Sequence, residues 1–317
     1  MADGTSTQPR ILALVGSTAS GKSELAIELA LRHGAEIINC DSLLVYRDLT
    51  IGTAKPSPEE LASLKHHAVD IIDLDQPFTA GDYVRYVRPI IDRLVAANKP
   101  VLIVGGTGFY LKALLCGVWD APPTQPAIRE RLEAEVAHLA PDEASQLLHR
   151  KLQALDAPYA EKVKANDRYR VVRALEIIEV TGKPVTELLK DRRLQNPLPY
   201  PFRVVGIKRS KMDLDRRIIE RTNTMFQKGL VNETKALRAK YDPPPRPFYC
   251  VGYNEVLQFL REGLTLPECR ERVVISTRQL AKKQMTFFRG FPSPIEWFNL
   301  PGERDALARA AAEVLGA

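Results

Sequence analysis

The sequence predicts an α/β fold, a parallel sheet flanked by helices and interrupted by an all-helical insertion, on three observations. Short runs at Ile11–Val15, Glu36–Asn39 and Val101–Val104 read as buried strands. Helical periods separate them, and strands alternating with helices form parallel sheets with helices on their faces. From Ala127 to about Leu189 the pattern is helical and highly charged, without a strand signal, before Phe202–Ile207 returns to one.

Each element follows from local residues. Lys22–Arg32 places Leu25, Ala26, Leu29 and Ala30 on one side, and Gly34 suits the end of that helix. Thr79 and Asp82 have capping-box spacing for a helix running to Ala97. Pro100 introduces Val101–Val104, which Gly105-Gly106 closes. The turn-rich Ala121–Pro126 marks a boundary. Residues 1–118 and 201–317 are therefore expected to form one α/β domain with C-terminal helices, and 119–200 a helical insertion domain. Thr181–Pro184 breaks the longest helix of the insertion. Asp213–Lys228 and Val231–Lys240 read as helices punctuated by Gly229, and Pro267–Arg289 as a long basic helix.

The chain has 317 residues, long for one core. Its net charge of +6 suits an anionic partner and suits a solvated basic surface equally well. Met1–Arg10 lacks the apolar core of a signal peptide, and no apolar run approaches a membrane span. A cytoplasmic chain without membrane contact is expected. Cys40, Cys116, Cys250 and Cys269 are far apart and read as reduced thiols, not as a zinc site or a disulfide frame.

Gly16-Ser17-Thr18-Ala19-Ser20-Gly21-Lys22-Ser23 fits G-x-x-x-x-G-K-[ST] between a strand and a helix, which makes the expected sheet P-loop NTPase-like. The glycines let successive N–H groups turn towards one anion, and the helix N-terminus adds its positive dipole end. Lys22 supplies a point charge, and Ser23 is placed to hold Mg²⁺. In nucleoside triphosphatases an apolar strand ends in the Asp that completes the Mg²⁺ site. Here Val101–Val104 ends in Gly105-Gly106-Thr107-Gly108 with no Asp. A carboxylate follows the second strand instead, as Asp41, at the strand ends where ligands of parallel sheets bind. Asp41 either takes a proton from a nucleophile, holds Mg²⁺, or caps the next turn through Ser42. Thr107 either binds a phosphate oxygen or caps the following helix. Arg217 and Arg221 are spaced i, i+4, so both can face one site, but from spacing alone a solvated basic face is the simpler account. Arg278, Lys282 and Arg289, with Arg168, Arg170 and Arg173, suit either a nucleic-acid backbone or solvent.

These segments in this order resemble the tRNA dimethylallyltransferases, also called tRNA isopentenyltransferases, of bacterial layout. The resemblance runs from the phosphate loop through Asp41-Ser-Leu-Leu-Val-Tyr46, Ile51-Gly-Thr-Ala-Lys-Pro56 and Gly105-Gly-Thr-Gly-Phe-Tyr110. It continues in Arg173-Ala-Leu-Glu176, Val251-Gly-Tyr253 and Thr277-Arg-Gln-Leu-Ala-Lys-Lys-Gln284, and so covers nearly the whole chain. It implies transfer of a dimethylallyl group from dimethylallyl diphosphate to the N6 amine of the adenosine at tRNA position 37, just 3′ of the anticodon.

On that resemblance Asp41 is the general base. Lys22, Thr107, Arg221 and Ser23 with Mg²⁺ stabilise the departing diphosphate, cradled by Gly16 to Ser23. The flipped adenine meets Asp41, Ser42, Leu43 and Leu44. Further tRNA contacts are implied at Thr107, Arg129, Tyr169, Arg170 and Arg173. Others are implied at Val251, Gly252, Tyr253, Lys282, Lys283, Gln284 and Arg289. The insertion would grip the anticodon stem-loop, and the protein would act as a monomer. Tyr169 departs from relatives that carry Gln there. A P-loop nucleotide or small-molecule kinase, and an RNA-binding protein with a vestigial loop, are the competing readings.

Overall fold

The computed structural model describes residues 10–119, 121–190, 194–195 and 197–316. β1 (Ile11–Gly16) leads into α1 (Lys22–His33), β2 (Glu36–Asn39), α2 (Pro58–Ser63), β3 (His66–His67), α3 (Ala80–Ala96), β4 (Val101–Gly105) and α4 (Gly108–Cys116). There follow β5 (Val118–Trp119), α5 (Pro126–Ala134), α6 (Pro141–Leu155), α7 (Ala157–Ala160), α8 (Arg168–Thr181), α9 (Val185–Leu188) and β6 (Leu194–Gln195). The chain continues through β7 (Arg203–Arg209), α10 (Lys211–Gln227), α11 (Leu230–Lys240), α12 (Tyr253–Glu262), α13 (Leu266–Arg289), β8 (Glu296–Leu300) and α14 (Arg304–Leu315).

Two compact units result: Met1–Gly117 with Asn196–Ala317, and Val118–Gln195. The first is built on a six-stranded sheet of order β3-β2-β4-β1-β7-β8, parallel at every pairing. β1 and β4 are buried at every residue because both faces of the sheet are covered. Leu25 and Leu29 of α1 pack with Leu307, Ala311 and Leu315 of α14 against Leu12, Leu14, Leu102 and Val205. A second core joins Val45, Leu49 and Leu74 to Met225, Leu230, Phe248, Tyr253 and Val256. The Thr79–Asp82 capping box is present.

This topology gathers the chemistry at the carboxyl ends of the central strands. β1 ends at Gly16, Asp41 lies two residues past β2, and Thr107 lies two past β4. β2 and β4 are neighbours, so their exits touch: Thr107 N–H donates to the Cys40 carbonyl at 3.2 Å. Gly105 is required there, because a Cβ at that position would overlap the Cys40 backbone. Gly105→Ala must therefore displace the Cys40–Asp41 peptide, and we expect turnover to drop at least about a hundredfold, since a misplacement of an ångström costs that much. Steady-state kinetics on a variant shown to be folded by circular dichroism checks this; turnover within a few fold of the parent would refute it.

The second unit has its own core, formed by Leu132, Leu148, Leu152, Val171 and Leu175. Gly182 ends α8 in the left-handed region, with φ of 66°. The all-helical reading of this stretch is corrected by β5 and β6, which pair antiparallel as Val118 with Gln195 and Trp119 with Leu194. Two-residue strands carry no periodicity, so no sequence pattern could mark them. β3 and β8 carry no clear sequence signal either. β3 has two residues, and β8 is an edge strand burying only Phe298 and Leu300. Among the described residues no helix is long and apolar enough to cross a membrane.

Candidate active site

The phosphate loop turns between β1 and α1 with Ala19 at φ 60° and Gly21 at φ 93°. Such alternation of backbone hand aims successive amides at one point. Gly16 and Ser17 are buried, so they shape the loop, and Thr18 to Ser23 line the cleft of about 610 Å³ beside it. Among the described residues, the buried Ser20 hydroxyl has no hydrogen-bond partner. A buried hydroxyl normally finds one, and an anion seated in the loop would supply it.

Arginines clamp the loop from outside. Arg209 Nε donates to the Ser20 carbonyl at 2.6 Å, and Arg217 Nε to the Ala19 carbonyl at 2.9 Å. Arg217 also pairs with Glu24 at 3.2 Å. The solvated-face account of Arg217 and Arg221 is thus corrected: both turn towards the loop, because α10 packs beside it. Arg221 lines the cleft and donates Nη2 to the Thr53 carbonyl at 3.1 Å. Thr53 is held in turn by its neighbours. Glu233 accepts from the Thr50 and Ile51 amides at 2.7 and 2.8 Å, and Tyr253 donates to Glu233 at 2.8 Å. Lys55 donates to the Tyr46 and Arg47 carbonyls at 2.8 and 2.9 Å and pairs with Asp70.

Asp41 lines the same cleft. The buried Asn39 holds its backbone, accepting from Asp41 N at 2.9 Å and donating to Asp41 O at 3.0 Å. Tyr83 donates to the Asn39 carbonyl at 2.9 Å. Asp41 Oδ1 accepts from Leu43 N at 2.9 Å, which fixes the carboxylate and leaves Oδ2 for another partner. Thr107 caps no helix with its side chain. Its hydroxyl accepts from Ser42 N at 3.0 Å and donates to Ser42 Oγ at 3.3 Å, tying β4's exit to β2's.

The charges are coupled. Burial lowers the Lys22 ammonium to about 8, with Asp41 acting to raise it and Arg221 to lower it. Burial likewise lowers Arg221, against the pull of Asp41. Lys22 Nζ donates to the Ser17 carbonyl at 2.6 Å. Asp41 is thus the carboxylate that acts on both desolvated cations, Lys22 and Arg221. Lys22 is charged below about 8 and neutral above it. Affinity for inorganic diphosphate should fall as pH rises through that value, measurable by calorimetry between about pH 7 and about pH 9.5. Diphosphate loses its own last proton in this range, so the profile is compared with that of Lys22→Met; identical profiles would remove Lys22 as the titrating group.

Ser23, exposed in the first turn of α1, is the protein oxygen beside the loop that suits Mg²⁺. Among the described residues no cluster of three His, Cys, Asp or Glu could hold a metal alone.

The other expected RNA-contact residues divide. Lys282, Lys283 and Arg289 are exposed on α13, and Val251 lines the cleft. Tyr253 is wholly buried, so it supports the segment from beneath, and Gly252, though buried, lines the cleft beside Val251. Gln284 faces the phosphate loop. In the second unit Arg170 is exposed and pairs with Asp167 at 2.6 Å. Tyr169 is exposed, with the Arg129 guanidinium 5.4 Å from its ring centre. Arg129 and Arg173 have structural partners: both grip buried Glu176, at 2.9 and 2.7 Å. Arg209, Asn39 and Glu233 were not foreseen, because their work is on backbone groups that no motif spacing reveals.

The IPP transferase family model matches residues 44–291. The chain is 40% identical over 317 residues to a tRNA dimethylallyltransferase of Geobacter sulfurreducens, covering 100% of both chains. It is 39% identical over 295 residues to that of Myxococcus xanthus, covering 93% of this chain and 94% of the relative. The solved tRNA isopentenylpyrophosphate transferase of Bacillus halodurans matches with a TM-score of 0.68 at 30% identity, covering 98% of this chain and 97% of that one. A eukaryotic dimethylallyltransferase acting on tRNA matches at 0.77 and 26% identity, covering 96% and 78%. With relatives aligned along its whole length and a family model spanning most of it, this chain belongs to the IPP transferase family.

Proposed function

We propose that this chain transfers the dimethylallyl group of dimethylallyl diphosphate to the N6 amine of the adenosine just 3′ of a tRNA anticodon, releasing diphosphate. The observation that carries the reading is Asp41 in one cleft with the phosphate loop, coupled to Lys22 and Arg221, where β4 ends without an Asp. A loop of this kind without a metal-binding strand end suits a leaving group better than a nucleotide being hydrolysed. The kinase reading is not favoured.

The amine nitrogen bonds to the first prenyl carbon as that carbon's bond to oxygen breaks. The electron pair leaves on the diphosphate, and the surplus amine proton passes to Asp41. Lys22, Arg221 and the loop amides meet the charge growing on the leaving oxygen. Ser23 would hold Mg²⁺, which neutralises part of the diphosphate charge when bound. Reaching a stacked base requires flipping it out, at roughly a few kcal/mol. Leu43 and Leu44, lining the cleft beside Asp41, offer apolar walls for that base. Lys282, Lys283, Arg289 and Arg170 supply exposed cations for the tRNA backbone, and the protein acts as a monomer.

The test mixes the protein with unmodified tRNA, Mg²⁺ and labelled dimethylallyl diphosphate. Label is expected in tRNA. Absence of label, with phosphate transfer from ATP instead, would overturn the proposal.

A further inference from the structure

Gln284 projects from α13 into the cleft, and its Oε1 accepts the backbone N–H of Thr18 at 2.7 Å. The two residues are 266 positions apart, so this bond ties the phosphate loop to a helix of the far C-terminal half. The donor is a backbone amide, so the carboxamide must present its oxygen, which fixes its orientation. Its nitrogen end rests against Gly106. A Cβ at that position would overlap Gln284 Nε2, and only a residue without a side chain leaves the carboxamide its seat.

Next to Gln284 on the same helix, Lys282 and Lys283 are exposed. One short stretch of α13 thus presents cations outwards and a loop-fixing amide inwards.

We propose that Gln284 is a positioning residue for the diphosphate, holding the Thr18 amide so that the following loop amides are pre-aimed at the anion, and that it is not an RNA contact. This rests on the reading of the loop as a diphosphate cradle. A loop amide left unpinned must be ordered when the anion binds, which weakens binding without altering the proton transfer at Asp41.

The test reads binding of inorganic diphosphate with Mg²⁺ by calorimetry, which needs no turnover and so stands apart from the prenyl-transfer reading. Gln284→Met keeps the length and packing of the side chain and removes the acceptor. We expect it to weaken diphosphate binding about tenfold. It should raise KM for dimethylallyl diphosphate by a similar factor, with kcat and tRNA affinity within about twofold. Gly106→Ala pushes the intact carboxamide off its seat and should reproduce the defect. Gln284→Ala frees the space that Ala at 106 needs, so Gln284→Ala with Gly106→Ala should be no weaker than Gln284→Ala alone. Unchanged diphosphate binding in Gln284→Met would overturn the proposal. So would a fall in tRNA affinity with diphosphate binding intact. If diphosphate binds and responds to these variants but no prenyl group moves, the assigned reaction fails and the positioning role stands.

Discussion

Asp41→Asn is expected to lower kcat by roughly 10²–10⁴-fold, the range for losing a positioned general base, while tRNA affinity stays within a few fold. The substitution is chosen because the side-chain amide keeps an oxygen for the Leu43 N–H, which Asp41 Oδ1 now accepts at 2.9 Å. The Asn39 clamp on the Asp41 backbone does not depend on the side chain either. The turn survives, and what disappears is a group able to take the amine proton. That loss corresponds to about 3–5 kcal/mol of transition-state stabilisation. Asp41 also offsets the two desolvated cations, Lys22 and Arg221. Neutralising it should tighten diphosphate binding even as turnover falls, an opposite movement that simple unfolding cannot produce. Single-turnover kinetics and diphosphate calorimetry read the two separately. Residual kcat within tenfold of the parent would remove Asp41 as the base.

Glu176→Ala is expected to cost roughly 3–5 kcal/mol of folding stability, the range for removing one partner of a buried ion pair. Glu176 is wholly buried and accepts from Arg129, Arg173 and the Gln125 amide. Arg173 reaches the Pro122 carbonyl as well, so one carboxylate fastens the segment before α5 to α8. Without it, two guanidinium groups lose their partner inside the second unit. A domain's whole stability is about 5–15 kcal/mol, so this unit should melt early and separately. Burial acts to raise the Glu176 pKa, but Arg173, the Gln125 amide and Arg129 outweigh it and hold the carboxyl below the ordinary range. A carboxyl lowered on folding contributes stability above its unfolded value and loses it as pH falls through the folded one. The acid branch of the parent's stability curve should therefore be shallower in Glu176→Ala, with the contributions of other lowered carboxyls such as Glu135 remaining. Calorimetric melts across acid pH check both points. A single transition at the parent's temperature would contradict them.

What could be read from sequence follows from how local each signal is. β1, the loop and α1 are contiguous, and apolar period, glycine spacing and Lys22 all mark them. Asp41 was legible because a strand end and a polar residue sit together. Long-range partners were not. Nothing in spacing says that Gln284 faces Thr18, that Glu233 caps Thr50 and Ile51, or that Arg217 meets Ala19. Arg129 and Arg173 illustrate the converse. The resemblance implies RNA contacts for both, and spacing fails to show that they also grip Glu176, which only the fold places between them. Tyr253 fails likewise: its ring packs with Phe248 and its hydroxyl serves Glu233 and Gly52, inside the core.

On the proposed reading, one cleft joins a diphosphate cradle to a carboxylate that takes a proton from an adenine amine. The most direct measurement is nucleoside mass spectrometry of an unmodified tRNA after incubation with the protein, Mg²⁺ and dimethylallyl diphosphate. One dimethylallyl group is expected on N6 of the adenosine just 3′ of the anticodon, with diphosphate released in equal amount and both products formed at least about a hundredfold more slowly by Asp41→Asn. Unmodified tRNA, or a prenyl group on any other atom, would contradict it.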